Sequence, residues 1–306
     1  MKEKINRNEP TNKVHLHGYI NDIKVIDYKN GDKNVVLDMC TIEAWKDNTG
    51  QMQNARTYHN VNLVTDSGKL IKRFEDIKAD LDNNRAHREE EGFKPAVHTA
   101  SVDGMFITRP REVEKEDGTK VTYYNQIVLA DTESLKLDTA KDEKEVRNVA
   151  EFKGNIAKID VKENDKGDKF AIVSVATHYI APGAKEGDFY SDKGKNYHEE
   201  TSFVETRVSS KGRGADIMAK INAGELEVGD LVKTRGRMHN NNFEDKDGIR
   251  RYKVVVDLSA VELVAKKEKK AEAEEKKEEK KEEKKETKKA TAKKTAAKKA
   301  TPKRSI

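Results

Sequence analysis

From Asn12 onward, apolar and polar side chains alternate in short runs. Val14 and Leu16 stand against His15 and His17 ahead of Gly18, and Val35, Leu37, Met39 and Thr41 share one face of "NVVLDMCTIEAW". A period of two predicts strands buried on one face. The turn Lys29-Asn30-Gly31-Asp32 between them predicts a hairpin, and Arg56–Val64 reads as a third strand. The period then changes. Leu70, Ile71, Phe74, Ile77 and Leu81 recur at helical spacing behind Asp66 and Ser67, either of which can cap a helix. Strands return in "AVHTASVDGMFI" and "VTYYNQIVLA", with the turn Glu116-Asp117-Gly118 between them.

Five strands with a helix between the third and fourth is the element order of an OB-fold barrel. The order then repeats. "AEFKGNIAK" echoes "VHLHGYIND", with Gly154 answering Gly18 and Ile156 answering Ile20, and Thr177 answers Thr41, all at an offset of 136 residues. "TSFVETRV" answers "TYHNVNLV", a short helix "ADIMAKI" follows, and "LVKTRGRM" and "RRYKVVVDLSAVELV" close the set. The expected fold is therefore mainly β, with two tandem five-stranded OB-fold barrels. Residues 1–11 form a disordered lead, 12–138 the first barrel, 139–147 a charged linker, 148–265 the second barrel, and 266–306 a charged tail.

Composition sharpens that division. Charged residues make up 38% of the chain and hydrophobic ones 34%, too polar for a uniformly packed protein. Of 61 basic and 56 acidic residues, 18 basic and 9 acidic lie in 266–306, so the tail carries +9 and the remainder −4. A net basic charge cannot by itself draw nucleic acid to the barrels; any site there must be a local basic face. The lone cysteine, Cys40, falls in an apolar strand pattern and reads as a small core residue, which fits a reducing cytosol. The polar N-terminus and the lack of any run near ~20 apolar residues predict a soluble, cytoplasmic protein with no membrane partner.

The ordered fragments resemble the bacterial-type single-stranded DNA-binding protein (SSB) family, twice over. The first copy carries "NKVHLHGYI", "NGDKNVVLDMCTIEAWKD" and "YHNVNLV"; the second carries "FKGNIAK", "KGDKFAIVSVAT", "EETSFVETRV", "GDLVKTRGRM" and "DGIRRYKVVVD". The resemblance implies OB barrels that hold single-stranded DNA without sequence choice and without catalysis, in replication, recombination or repair. It places Trp45 at the family's stacking tryptophan, Tyr58 at a second stacking aromatic, and His59 at the histidine after it. In the second copy Phe203 takes the place of Tyr58, and Phe243 that of the aromatic at the last hairpin tip. Three positions depart: Val64 replaces an aromatic, Pro110-Arg111 stand near the first hairpin tip, and Ala181 replaces the counterpart of Trp45, with Tyr179 nearby.

Sequence-tolerant binding of a single strand needs aromatic faces for bases and cations for phosphates. Aromatics and cations sit together at Trp45–Lys46 and Arg56–Tyr58, and Arg250 and Arg251 precede Tyr252. Lys233, Arg235 and Arg237 alternate on one strand and so share a face, which is either a binding groove or simply solvated. Arg109, Arg111 and Arg207 complete the expected set. Tyr58 and Phe203 fall mid-strand, where core packing is the competing role. "SSKGRGAD" lacks the spacing of a phosphate-cradling loop. The eight histidines show no metal-ligand spacing. No catalytic constellation stands out, so neither enzyme activity, metal nor cofactor is expected.

The tail has two parts. "EKKAEAEEKKEEKKEEKKE" repeats Glu three residues before Lys, which supports an exposed helix. The last stretch carries Lys288, Lys289, Lys293, Lys294, Lys298, Lys299, Lys303 and Arg304 with no acid among them. It resembles histone-like Lys/Ala tails and is expected to touch phosphates of single-stranded DNA, RNA or duplex. The SSB family's acidic tail with an apolar end is absent. Two further readings stay open: an RNA-binding OB protein, and a nucleoid or virion protein that condenses DNA. The family often assembles four barrels, a number that a homodimer of this bacterial or phage chain would reach.

Overall fold

The computed structural model describes residues 12–27, 33–46, 49–114, 118–138, 148–164, 167–182, 190–192, 195–244, 250–251 and 253–267. The side chains of 45, 110–111, 121–124, 180–182, 190–192, 195–199, 243–244 and 250–251 lie outside that description. So do the expected lead, the linker, the turn 29–32, residues 116–117 and the tail beyond 267.

The alternating runs form strands. In chain order the first half contains β1 (Asn12–Asp27), β2 (Lys33–Lys46), β3 (Met52–Thr65), α1 (Gly68–His87), β4 (Thr99–Glu114), β5 (Lys120–Ala130) and the two-residue β6 (Lys136–Leu137). The second half contains β7 (Asn148–Glu163), β8 (Lys169–Pro182), β9 (Tyr190–Asp192), β10 (Lys195–Ser209), α2 (Ala215–Asn222), β11 (Leu231–Asn240), β12 (Phe243–Glu244), β13 (Arg250–Arg251) and β14 (Val254–Ala265). In the first half β1 pairs with β2, β2 with β3, β3 in parallel with β5, β5 with β4, and β4 back with β1. In the second, β7, β8, β10, β14 and β11 close by the same steps, again with one parallel pair. Each half is thus a closed five-stranded barrel of OB topology, which leaves no open sheet edge between its main strands.

The core follows the pattern. Val35, Leu37, Met39 and Thr41 are all buried, as are Ile71, Phe74, Ile77 and Leu81 on one face of α1. Ser67, not Asp66, caps that helix by accepting the amide of Leu70. The helix runs past the last apolar position to His87 because Arg85 reaches the carboxylate of Asp22 at 2.9 Å and the carbonyl of Asn21 at 2.9 Å. In the second half Ile217 and Met218 of α2 face the barrel. The unfilled space inside that barrel is only about 10 Å³, so it is a packed core and any ligand must bind outside. Cys40 is buried, which pushes its thiol pKa up and makes it a packing residue.

The duplication is visible in backbone detail. Each first strand shifts register once, between Ile20 and Asp22 in β1 and between Ile156 and Lys158 in β7. The glycine ahead of each bulge has one physical cause: a Cβ on Gly18 would lie 2.5 Å from the carbonyl oxygen of Cys40, and on Gly154 2.0 Å from that of Ala176.

The barrels share one 12-stranded sheet, because β1 pairs antiparallel with β7. Val14 faces Ala150 in that pair, and these are equivalent positions of the two copies, so the contact is self-complementary. Asn12 donates to the Phe106 carbonyl at 2.6 Å and accepts the Phe106 amide at 2.9 Å, while Asn148 does the same for Met238 at 2.8 and 2.9 Å. Each amide also crosses the contact, Asn12 to Thr177 Oγ1 at 3.2 Å and Asn148 to Thr41 Oγ1 at 3.3 Å.

Substitution Gly154→Ala should lower unfolding stability by about 1–3 kcal/mol through overpacking against backbone. A chemical-denaturation midpoint equal to that of the unmodified chain would contradict the steric account.

Candidate nucleic-acid interface

Strand alternation decides which side chains leave the barrels. On β3, Arg56, Tyr58 and Asn60 are exposed while Thr57, His59 and Val61 are buried. Tyr58 pairs with Cys40, and Phe203 on β10 pairs with Ala176, the repeat partner of Cys40. The two aromatics therefore occupy the same place on the two barrels. Tyr58 is 48% exposed and Phe203 55%, so neither is a core residue.

Both are fixed by the opposite barrel. Asn240 accepts the Tyr58 amide at 2.6 Å and donates to its carbonyl at 3.4 Å. Thr108 donates its amide to Ser202 Oγ at 3.0 Å and its hydroxyl to the Phe203 carbonyl at 3.4 Å. Gln126 joins the barrels nearby, pairing both ways with the Val254 backbone at 2.8 and 2.7 Å. These hydrogen bonds hold the backbone under each ring and leave the rings outside.

Two grooves flank this contact. One, of about 730 Å³, is lined by Tyr58, Lys24, Asn60, Gln126, Asn240 and Lys253, with Asp22 and Asp38 adding negative charge. Burial holds the Asp38 carboxyl above its usual range. The other, of about 1120 Å³, runs over the outer sheet of the second barrel to the β2–β3 hairpin of the first. Its lining includes Arg207, Lys211, Arg213, Arg235 and Arg237.

Lys233, Arg235 and Arg237 do project from the exposed face of β11, with Val232, Thr234, Gly236 and Met238 buried behind them. The cations come with carboxylates, which strand pattern alone could not show. Arg207 grips Asp257 through two hydrogen bonds of 2.7 and 2.9 Å, Arg235 lies 3.3 Å from Glu151, and Arg237 pairs with Glu43. Lys46, Arg56 and Arg109 are exposed.

Tyr179 departs from the expectation of an accessible ring. It is 4% exposed and packs with Ile107 and Ile127. Its hydroxyl donates to Glu200 and accepts from Arg109, and burial raises its pKa first, with Glu200 adding to the rise. A ring packed this way offers no face to a base. Trp45 is the penultimate residue of β2, opposite Gln53, but its side chain is outside the described residues. So are those of Arg111, Phe243, Arg250 and Arg251, although Phe243 and Arg251 pair through their backbones. Tail residues Lys288, Lys289, Lys293, Lys294, Lys298, Lys299, Lys303 and Arg304 are likewise outside. The residues missed from sequence are Asn240 and Thr108, which seat the aromatics; nothing local marks them, because their partners lie on the other barrel.

The chain is thus a pair of fused OB barrels with paired outer aromatics and polar grooves. No family model and no curated protein matches the chain. Solved structures do match in fold. The wild-type single-stranded DNA-binding protein from Thermus aquaticus is similar with a TM-score of 0.50 and 18% identity, over 83% of this chain and 93% of that one. A deletion variant of the same protein matches with a TM-score of 0.50 and 17% identity, over 83% and 95%. An SSB complex with single-stranded DNA from Plasmodium falciparum is similar over 40% of this chain and 97% of that one, with a TM-score of 0.31 and 18% identity.

Beneath Tyr58, His59 is only 2% exposed, with Nε2 2.8 Å from Thr41 Oγ1 and, among the described residues, no partner for Nδ1. Burial pushes its pKa from 6.5 down to about 4. The unfolded chain then binds a proton that the folded one refuses, so this group costs stability as pH falls from about 6.5 toward 4, at roughly 1.4 kcal/mol per pH unit. His59→Gln should flatten that part of a melting-temperature profile. An unchanged slope between pH 6.5 and 4 would show that other groups govern it.

Proposed function

We propose that the chain binds single-stranded DNA without sequence choice and without catalysis, keeping exposed strands covered in replication, recombination or repair. One observation carries the reading: Tyr58 and Phe203 stand at equivalent positions of two barrels, half exposed, Tyr58 lining a groove with Lys24 and Lys253 and Phe203 on the outer face of β10 that also carries Arg207. A free aromatic face is costly to leave in water and is what a splayed base stacks on. Duplex bases hide their faces, so the preference is for a single strand. The fold likeness to the Thermus aquaticus protein supports the same reading. Residues 12–138 and 148–265 act as the two binding modules, with Lys46 and Arg56, which share the strand face of Tyr58, extending its platform, and Trp45 as a further stacking residue near the end of β2. The cationic tail adds contacts to phosphates of any nucleic acid.

Tyr58→Ala and Phe203→Ala should each weaken oligo-dT binding by about 1–3 kcal/mol with little loss of melting temperature, since both rings are largely outside the core. Fluorescence anisotropy with labelled oligo-dT, competed by oligo-rU and by duplex DNA, measures it and separates DNA from RNA preference. If neither substitution moves the affinity for oligo-dT, stacking is not the mode of binding.

Deleting 287–306 should weaken binding to duplex and single strand alike and flatten the salt dependence of both, because only backbone charge is removed. An unaltered salt slope for duplex DNA would remove the tail from the interface.

A further inference from the structure

The barrel contact contains one niche twice, once on each side, and the two copies have diverged. On one side Tyr179 packs with Ile107 and Ile127, and Met105 and Leu129 close the cluster. Glu43 holds the place of Tyr179, since the two are 136 residues apart in the repeat. Met105 pairs with Leu129 one residue after Gly104, and Arg237 pairs with Asp257 one residue after Gly236. The second niche thus has Glu43, Arg237 and Asp257 where the first has Tyr179, Met105 and Leu129. The apolar copy is filled by its tyrosine. The charged copy opens into the groove of about 1120 Å³, whose lining holds six lysine and arginine side chains against three carboxylates.

We propose that this open niche is the phosphate site of the chain's bound single strand, and that Glu43 occupies Arg237 until a phosphodiester replaces it. The proposal rests on the single-strand reading above and gives it one asymmetric anchor instead of two equal ones. Two observations and one rule of guanidinium geometry carry it. The groove keeps a cationic excess after its carboxylates are counted. The Arg237–Glu43 pair is half in solvent, at 48% and 39% side-chain exposure, so it is weak enough to be exchanged. A guanidinium takes a phosphate in the same two-pronged geometry as a carboxylate. Arg207 stays with Asp257, gripped by two bonds, and serves as a fixed wall. Glu43 lies three residues before the end of β2, so a strand entering here runs from the charged niche toward the hairpin tip.

Anisotropy titrations of the full chain with labelled oligo-dT at several salt concentrations test this through two variants that break the same pair. Arg237→Gln should weaken binding about 10-fold and reduce the slope of log affinity against log salt by about 0.7, one phosphate contact. Glu43→Gln should tighten binding several-fold, because the competing carboxylate is gone, while its melting temperature shifts as that of Arg237→Gln does. A merely structural pair would move affinity in the same direction in both variants, or in neither, and either result overturns the proposal. If the unmodified chain does not retain oligo-dT, the single-strand reading falls and this one with it. Sensitivity to Tyr58→Ala without opposite responses at Glu43 and Arg237 defeats this inference alone.

Discussion

The pairing of β1 with β7 is the contact on which the rest is arranged. It places Val14 against Ala150, so the two copies of the repeat meet at equivalent positions. Asn12 and Asn148 then span from their own barrel's fourth strand to a threonine of the other barrel. A buried amide left without partners costs more than its bonds contribute, so each amide ties the join to a single register. A one-residue slip would turn Val14 and Leu16 outward and strand both amides.

From that join follow the positions of the surface aromatics. Because the barrels meet in one register, Asn240 lands on the Tyr58 backbone, and Thr108 on the Ser202 hydroxyl and the Phe203 carbonyl. The Tyr58 amide and the Phe203 carbonyl are each taken by a side chain of the neighbouring barrel. The join itself therefore fixes the backbone beneath each ring.

Self-complementary contacts need not stay chemically equal once both halves lie in one chain. Each position can then be substituted independently, which a homodimer of identical subunits does not permit. The Tyr179 cluster and the Glu43–Arg237 pair show the result, one niche packed with apolar side chains and its equivalent lined with charge. The body of the protein can therefore carry a net negative charge and still present a cationic groove.

Strands, helix faces and the repeat were legible in the sequence because they depend on local periodicity. Val35, Leu37, Met39 and Thr41 alternate and are buried, and Ile71, Phe74, Ile77 and Leu81 recur every three or four residues and face the core. Gly18 and Gly154 marked the repeat because strand crossing leaves no room for a Cβ. Lys233, Arg235 and Arg237 were readable as one face for the same local reason. Tertiary structure alone decided what those cations meet: Glu43 is 194 positions from Arg237 in the chain and on another barrel. It also decided that Tyr179 is covered while Phe203 is not. They lie on two paired strands of one barrel, β8 and β10, and Ile107 and Ile127 of the other barrel cover Tyr179 alone. Periodicity reports which way a side chain leaves its own strand; what waits there is set by residues distant in sequence.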